Sequence, residues 1–202
     1  MIGLAGAHRT GKTTLAKAWA DKNEVKFITP DVSKVIRSMG FDCADIKSLN
    51  DRLRVQRRLV EECENLFSKQ RSIFVTDRTP LDVAAYTLAD ATQHMTHEQS
   101  KELNQIVEDC ITISNSSFNS ILLVQPGIPF AEEAGKPPMN IAYQEHIHTL
   151  IVGLLADNRS TVSFWDIPRD NTIHEDRVSG LSEVYNAVML EAEYDVQGMT
   201  SN

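Results

Sequence analysis

Residues 1–20 read MIGLAGAHRTGKTTLAKAWA. A short apolar run, MIGLAG, ends in glycine, and the segment after the loop places Leu15, Ala18 and Trp19 at helical spacing. The stretch predicts strand, loop and helix in direct succession. Inside the loop, Gly6, Gly11, Lys12 and Thr13 meet the spacing G-x-x-x-x-G-K-[ST], with Thr14 beside them. Glycine backbones bend so that several N–H groups face one anion, and a helix that starts near Gly11 adds its positive end. Gly6, Ala7, His8, Arg9, Thr10, Gly11, Lys12, Thr13 and Thr14 therefore form a candidate phosphate cradle.

The rest of the chain repeats the pattern of strand and helix. VKFIT is β-rich and stops at Pro30, and Asp31 stands where a cap would for VSKVIRSMG, which ends at Gly40. Asp45 is expected to cap a long amphipathic helix over residues 46–69, with Leu49, Leu53, Leu59, Leu66 and Phe67 on its apolar side. SIFVTDRTP is an apolar run that ends in Asp77 and Arg78. LDVAAYTLADA and THEQSKELNQIVEDCITIS read as helices, the second capped by Thr96 with Glu98 and Gln99 nearby. SILLVQPG is a strand, residues 127–140 have the glycine and proline content of a loop, and IAYQEHIHTLIVGLLADN returns to helical period. TVSFWDIP is a fifth strand, LSEVYNAVMLEAEY a last helix, and DVQGMTSN a frayed tail. Short apolar strands alternating with helices predict an α/β protein, a five-stranded, mostly parallel sheet with helices on both faces, and with the phosphate loop the expected architecture is the three-layer α/β/α P-loop NTPase fold. At 202 residues one domain accounts for the whole chain, residues 1–202.

Composition narrows the function. Apolar content of 42% and charged content of 24% are those of a globular protein. No stretch reaches the roughly 20 apolar residues of a membrane helix, so no membrane partner is expected. The start carries neither a basic n-region nor a long apolar h-region, and a cytoplasmic protein is expected, host cytoplasm if the gene is a phage's. Cys43, Cys63 and Cys110 are widely spaced and read as packed thiols. A net charge of −8 argues against nonspecific nucleic-acid binding as the main activity. One basic segment stands apart, KSLNDRLRVQRR at residues 47–58, with five basic residues and one acidic. It reads either as a solvated helix face balanced by Glu61, Glu62 and Glu64 or as an arm on which Arg52, Arg54, Arg57 and Arg58 touch phosphates of an acceptor.

The cradle predicts ATP and Mg2+ as cofactors: Lys12 neutralises the β- and γ-phosphates and Thr13 holds magnesium. Asp77 and Arg78 stand at the carboxyl end of a strand, where ligands of open α/β sheets gather. There a carboxylate joins the magnesium shell or takes a proton, and an arginine stabilises charge on the transferred group. Asp31, past the second strand, is either a helix cap or the base for an acceptor hydroxyl. The candidate catalytic residues are Lys12, Asp31, Asp77 and Arg78, and the candidate metal ligands Thr13 and Asp77. A guanine-reading N-K-x-D motif is missing, and VTDRT lacks the second strand-end carboxylate of a motor ATPase. Phosphoryl transfer fits better, with an ATP-dependent switch or assembly module as the competing class.

The order of phosphate loop, long helix, strand ending in DRTPLD and late loop resembles the P-loop kinases of nucleosides and nucleotides, thymidylate-kinase-like proteins among them. VTDRTPLDVAAY is especially similar to small phage and bacterial AAA-like kinases, a group that includes nicotinamide riboside kinases. The resemblance implies that residues 6–14 grip ATP, that Asp77 and Arg78 serve the active centre, and that Asp31 matches an acidic residue after the second strand. It also implies a lid at residues 127–140. Lids of that family commonly carry arginines, whereas this loop has only Lys136, a point charge, with Arg159 or Arg169 as substitutes. The loop DIPRDN falls where the family holds adenine. The implied partner is a nucleoside-type acceptor, free or within DNA. The DRTPLD type and compact length resemble phage 5-hydroxymethyluracil DNA kinases, which points to 5-hydroxymethyl-deoxyuridine in DNA and thymidine hypermodification, a chemistry that needs the base swung out of the stack. A free nucleoside, a nucleoside monophosphate and nicotinamide riboside stay open, as does the oligomeric state, a homodimer included.

Overall fold

Every residue of β1 (Ile2–Ala5) is buried, as expected for a strand covered on both faces, which needs apolar side chains throughout rather than alternation. The computed structural model describes residues 1–42, 46–129 and 139–199. After β1 come α1 (Lys12–Asn23), β2 (Lys26–Ile28), α2 (Val32–Ser38), α3 (Leu49–Ser68), β3 (Phe74–Thr76) and α4 (Pro80–Ala89). Then follow α5 (His97–Ser117), β4 (Ser120–Val124), α6 (Ile141–Leu155), β5 (Ser163–Ile167) and α7 (His174–Met199). The strands pair in the order β2-β3-β1-β4-β5, and every pairing is parallel.

Strand alternation divides the core into two layers. Ile2 and Leu4 face the same side as Val75, Leu122, Val124 and Ile167, where they meet Leu15 and Trp19 of α1 and Val178, Leu181 and Val184 of α7. Ala5, Phe74, Ile121 and Leu123 face the opposite side, under apolar residues of α3, α4, α5 and α6. Phe67, Phe74 and Phe118 form a ring cluster there, with centroids 5.2 to 6.0 Å apart. The α/β/α arrangement is therefore the one the alternating pattern predicts. Cys63 and Cys110 are buried free thiols, and Cys43 lies outside the described residues. Among the described residues no helix is long and apolar enough to cross a membrane.

Two helix boundaries differ from expectation. The long helix α3 begins at Leu49 rather than Ile46, because Ser48 holds an extended backbone and its hydroxyl accepts the Asp51 N–H at 3.2 Å. Ile46 instead offers its carbonyl to Arg52 Nε at 2.9 Å, and Asp45, the expected cap, lies outside the described residues. The last helix begins at His174, seven residues before Leu181, and reaches Met199, so most of the expected tail is helical. Gly180 does not end it, since its open surroundings carry no packing demand and the apolar positions Val178, Leu181, Val184 and Val188 continue across it.

The strand order decides where a site forms. From β1 the chain runs outward to β2 and back to β3 on one side, then crosses to β4 and β5 on the other. The loop after β1 thus opens between the carboxyl ends of β3 and β4, at the point where the winding reverses.

Trp19 ties the helix after this loop to the last helix. It is fully buried, its Nε1 donates to Ser182 Oγ at 3.0 Å, and its ring lies 5.1 Å from that of Tyr185. Replacing Trp19 by Ala is expected to cost about 3–5 kcal/mol of stability through the cavity and the lost bond, read as a lower urea midpoint.

Candidate functional site

The cradle is built by backbone. Gly6 has φ of +156° and Gly11 φ of +82°, both in the region that favours glycine. A Cβ on Gly6 would stand 2.5 Å from the Val124 carbonyl oxygen of β4, and one on Gly11 would press on Arg177 Nη1 and Ile128 Cδ1 at 3.1 Å. Gly11 is also the N-cap of α1, with no side chain satisfying the first N–H groups of the helix. These donors and the positive end of α1 face the loop. Thr10 is fully buried and its hydroxyl donates to the Ala7 carbonyl at 3.1 Å, tightening the turn.

Lys12 folds onto this loop. Its Nζ donates to the carbonyls of Gly6 at 2.6 Å and Ala7 at 2.8 Å. Burial pulls its pKa down to about 8; Asp82 opposes the shift, Arg78 adds to it, and Asp77 opposes it more weakly. The Thr13 hydroxyl donates to Asp77 Oδ2. Asp77 is 6% exposed, and its Oδ1 is buried with no hydrogen-bond partner. A buried carboxylate oxygen left open beside a threonine hydroxyl suits a hard cation, and Mg2+ is usually held by one or two carboxylates together with substrate phosphates. The residues present therefore fit the metal that the loop implies. Arg78 is exposed at the same strand end.

Asp82 was not singled out from the sequence, yet it organises the site. It is 2% exposed; its Oδ1 accepts the Gly6 N–H at 3.0 Å, and its Oδ2 accepts the N–H of Thr79 at 2.7 Å and the Thr79 hydroxyl at 2.9 Å. Thr79 and Asp82 form the capping box of α4. The spacing T-x-x-D behind Asp77 was the signal available for it. Two further partners of the loop come from late in the chain: Gln144 of α6 donates to the His8 carbonyl at 2.8 Å, and Arg177 of α7 to the Thr10 carbonyl at 3.0 Å. No local pattern marks either.

His8 reaches outward from the loop. Its Nδ1 lies 3.2 Å from Tyr86 Oη and its ring 5.8 Å from that of Tyr143, which in turn stacks on His146 at 6.4 Å. Burial, then Lys12 and Arg9, lower the His8 pKa, which keeps the imidazole neutral at neutral pH. Rings from the loop, α4 and α6 thus make a wall beside the phosphate cradle, with Tyr143 40% exposed.

The other candidates have partners outside the loop. Asp31 is exposed and caps α2, its Oδ1 accepting the Lys34 N–H at 2.9 Å. The arginines of α3 are each ion-paired: Arg52 with Asp90, Arg54 with Asp51, Arg57 with Glu102 and Asp109, and Arg58 with Glu61. Arg54, Arg57 and Arg58 line a groove of about 740 Å³ whose walls also carry Glu61, Glu98 and Glu102. Arg169, past the end of β5, holds Glu145 of α6 through two bonds of 2.6 and 2.7 Å. Arg159 precedes β5, at the sheet edge opposite the cradle, and pairs with Asp157 and Glu108. Lys136 and most of the expected lid, residues 130–138, lie outside the described residues.

Changing Asp82 to Asn tests the frame. One carboxylate oxygen becomes an amide donor facing the N–H groups of Gly6 or Thr79, and a loss of about 2–3 kcal/mol in urea unfolding is expected.

Comparison with known proteins follows this geometry. No curated protein matches the sequence. Among solved structures, the fold is similar to deoxyadenosine kinase from M. mycoides, with a TM-score of 0.65 at 13% identity over 93% of this chain and 98% of that one. Thymidylate kinase from Candida albicans gives 0.62 at 17% identity over 92% and 90%. The NadR protein in complex with NR gives 0.63 at 15% identity over 90% of this chain and 49% of that one. At such identities these likenesses speak for the fold. A family model described as an AAA domain matches residues 1–175, a span holding all five strands and the whole phosphate loop, and the chain belongs to that family.

Proposed function

We propose that the protein is an ATP-dependent phosphotransferase that moves the γ-phosphoryl group to a hydroxyl of a nucleoside-type acceptor. One arrangement carries this reading: a phosphate cradle and a wall of rings share a single loop, through Lys12 on one side and His8, Tyr86 and Tyr143 on the other. A triphosphate suits the first and a planar base the second. A nucleotide switch also holds a planar base, so transfer of the phosphoryl group to an acceptor is what separates the two classes. Nucleoside and nucleotide kinases among the solved structures of similar fold agree with this choice.

In this reading the N–H groups of the loop and Lys12 bind the phosphates, and Lys12 leaves the carbonyls of Gly6 and Ala7 to do so. Thr13 and Asp77 hold Mg2+, which when bound neutralises charge on the β- and γ-phosphates. Arg78, exposed at the same strand end, meets charge on the transferred group in this reading. The acceptor hydroxyl gives its proton to a carboxylate, Asp31 once it leaves its capping role or Asp77. Phosphoryl transfer depends mainly on such positioning and charge neutralisation.

The carboxylates that pair Arg52, Arg54, Arg57 and Arg58 leave the α3 groove near neutral, which favours a free nucleoside-type acceptor over a DNA strand. A 5-hydroxymethyl-deoxyuridine base in DNA needs those pairs to open, and it forms a separate arm of the test.

The test is transfer of label from γ-labelled ATP to a panel of nucleosides, nucleoside monophosphates, nicotinamide riboside and hydroxymethyluracil-containing DNA. Label is expected on a nucleoside-type compound, and Lys12→Ala is expected to lower the rate by about 10²–10³-fold. ATP hydrolysis at one slow rate whatever acceptor is present would overturn the reading in favour of a switch.

Lys12 also makes binding pH-dependent. With its pKa near 8 in the empty loop, the ammonium is charged below that value and neutral above it. Bound phosphates favour the charged form, so binding at pH 9 should take up about one proton and binding at pH 7 almost none at this residue, with affinity falling as pH rises through about 8. Calorimetry of ADP binding in buffers of different ionisation enthalpy reads the uptake directly.

A further inference from the structure

Arg177 is 4% exposed, and among the described residues no carboxylate pairs with it. Burial alone lowers its pKa, with no acidic neighbour to oppose the shift. The arginines that do form ion pairs lie nearer solvent, Arg54 at 67% and Arg159 at 47% side-chain exposure. Burying a guanidinium without a counter-charge costs several kcal/mol, and a fold keeps such a group where something else supplies the charge. The guanidinium is packed against the turn of the phosphate loop: Nη2 donates to the Thr10 carbonyl at 3.0 Å, and Nη1 lies 3.1 Å from where a Cβ on Gly11 would be. Its Nε is buried and has no acceptor.

Positive charge therefore accumulates at this turn. The uncapped start of α1, Lys12 and Arg177 converge there, while Asp82 and Asp77 stand on the α4 side of the loop. An anion arriving at the turn supplies the counter-charge that Arg177 lacks and gives Nε a partner.

We propose that Arg177 is a nucleotide-binding residue supplied by α7, a second buried cation for the polyphosphate of a nucleoside di- or triphosphate, with Nη2 holding the loop and Nε kept for the ligand. The inference rests on the nucleotide half of the function proposed above and is independent of the acceptor.

The test measures ADP binding to the full chain by calorimetry in wild type, Arg177→Lys and Arg177→Met. Arg177→Met is expected to weaken ADP by about tenfold or more, and Arg177→Lys to recover most of it. A role confined to bracing the loop would lower the melting temperature of Arg177→Met and leave the ADP affinity of the folded protein unchanged. If Arg177→Met fails to fold, the ¹⁵N resonance of Arg177 Nε in the wild type decides. It is expected to move on addition of ADP. An affinity within twofold of wild type, or an Nε signal unmoved at saturating ADP, overturns the inference alone. Wild type that binds no ADP overturns it together with the proposed function.

Discussion

The buried carboxylate of Asp82 holds the site together. It takes hydrogen bonds from the Gly6 N–H, the Thr79 N–H and the Thr79 hydroxyl while 2% exposed, so the start of the phosphate loop and the start of α4 share one anion. Three donors and the positive end of α4 offset the desolvation of the charge, which an isolated buried carboxylate would not survive. The position of Gly6 against the Val124 carbonyl depends on this anchor, and so does the cradle that begins there. Asp77 stands at the end of β3, a few residues before the capping box, so the same box places the open oxygen of Asp77 beside Thr13.

Around that anchor the loop is held from three directions. Asp82 grips it from α4, Gln144 from α6 and Arg177 from α7. Each of the three bonds goes to a backbone group of the loop. The positive charges converge on the turn and the negative ones stand behind it. The rings of His8, Tyr86 and Tyr143 stand on the other side of the loop.

Much of this was legible from residue types. The spacing of Gly6, Gly11, Lys12 and Thr13 marks a cradle because backbone geometry demands glycine at those turns, and the structure shows positive φ at both glycines. Asp77 was legible as the last acidic residue of an apolar strand. Asp82 was present in the quoted motif but read as part of a helix, since a capping acid and a structural anchor look alike until the second bond, to Gly6, is seen. The start of α3 was misplaced because Asp45 and Ser48 are both good caps in sequence, and Ser48 is the one whose extended backbone aims its hydroxyl at a helix N–H. The basic run of α3 likewise gave no hint that Arg57 would meet Glu102 and Asp109 of α5.

The sequence by itself determined what depends on neighbours along the chain: the period of each strand and helix, the turns that need glycine, and the caps at Asp31 and Thr96. Tertiary structure alone decided which distant groups complete that loop. The partners of Gly6, His8 and Thr10 lie 76, 136 and 167 residues away. They meet because the strand order places β3 and β4 on either side of β1, and that order follows from how all the helices cover both faces of the sheet at once. Local periodicity carries no record of it, since a strand reads the same wherever in the sheet it comes to lie.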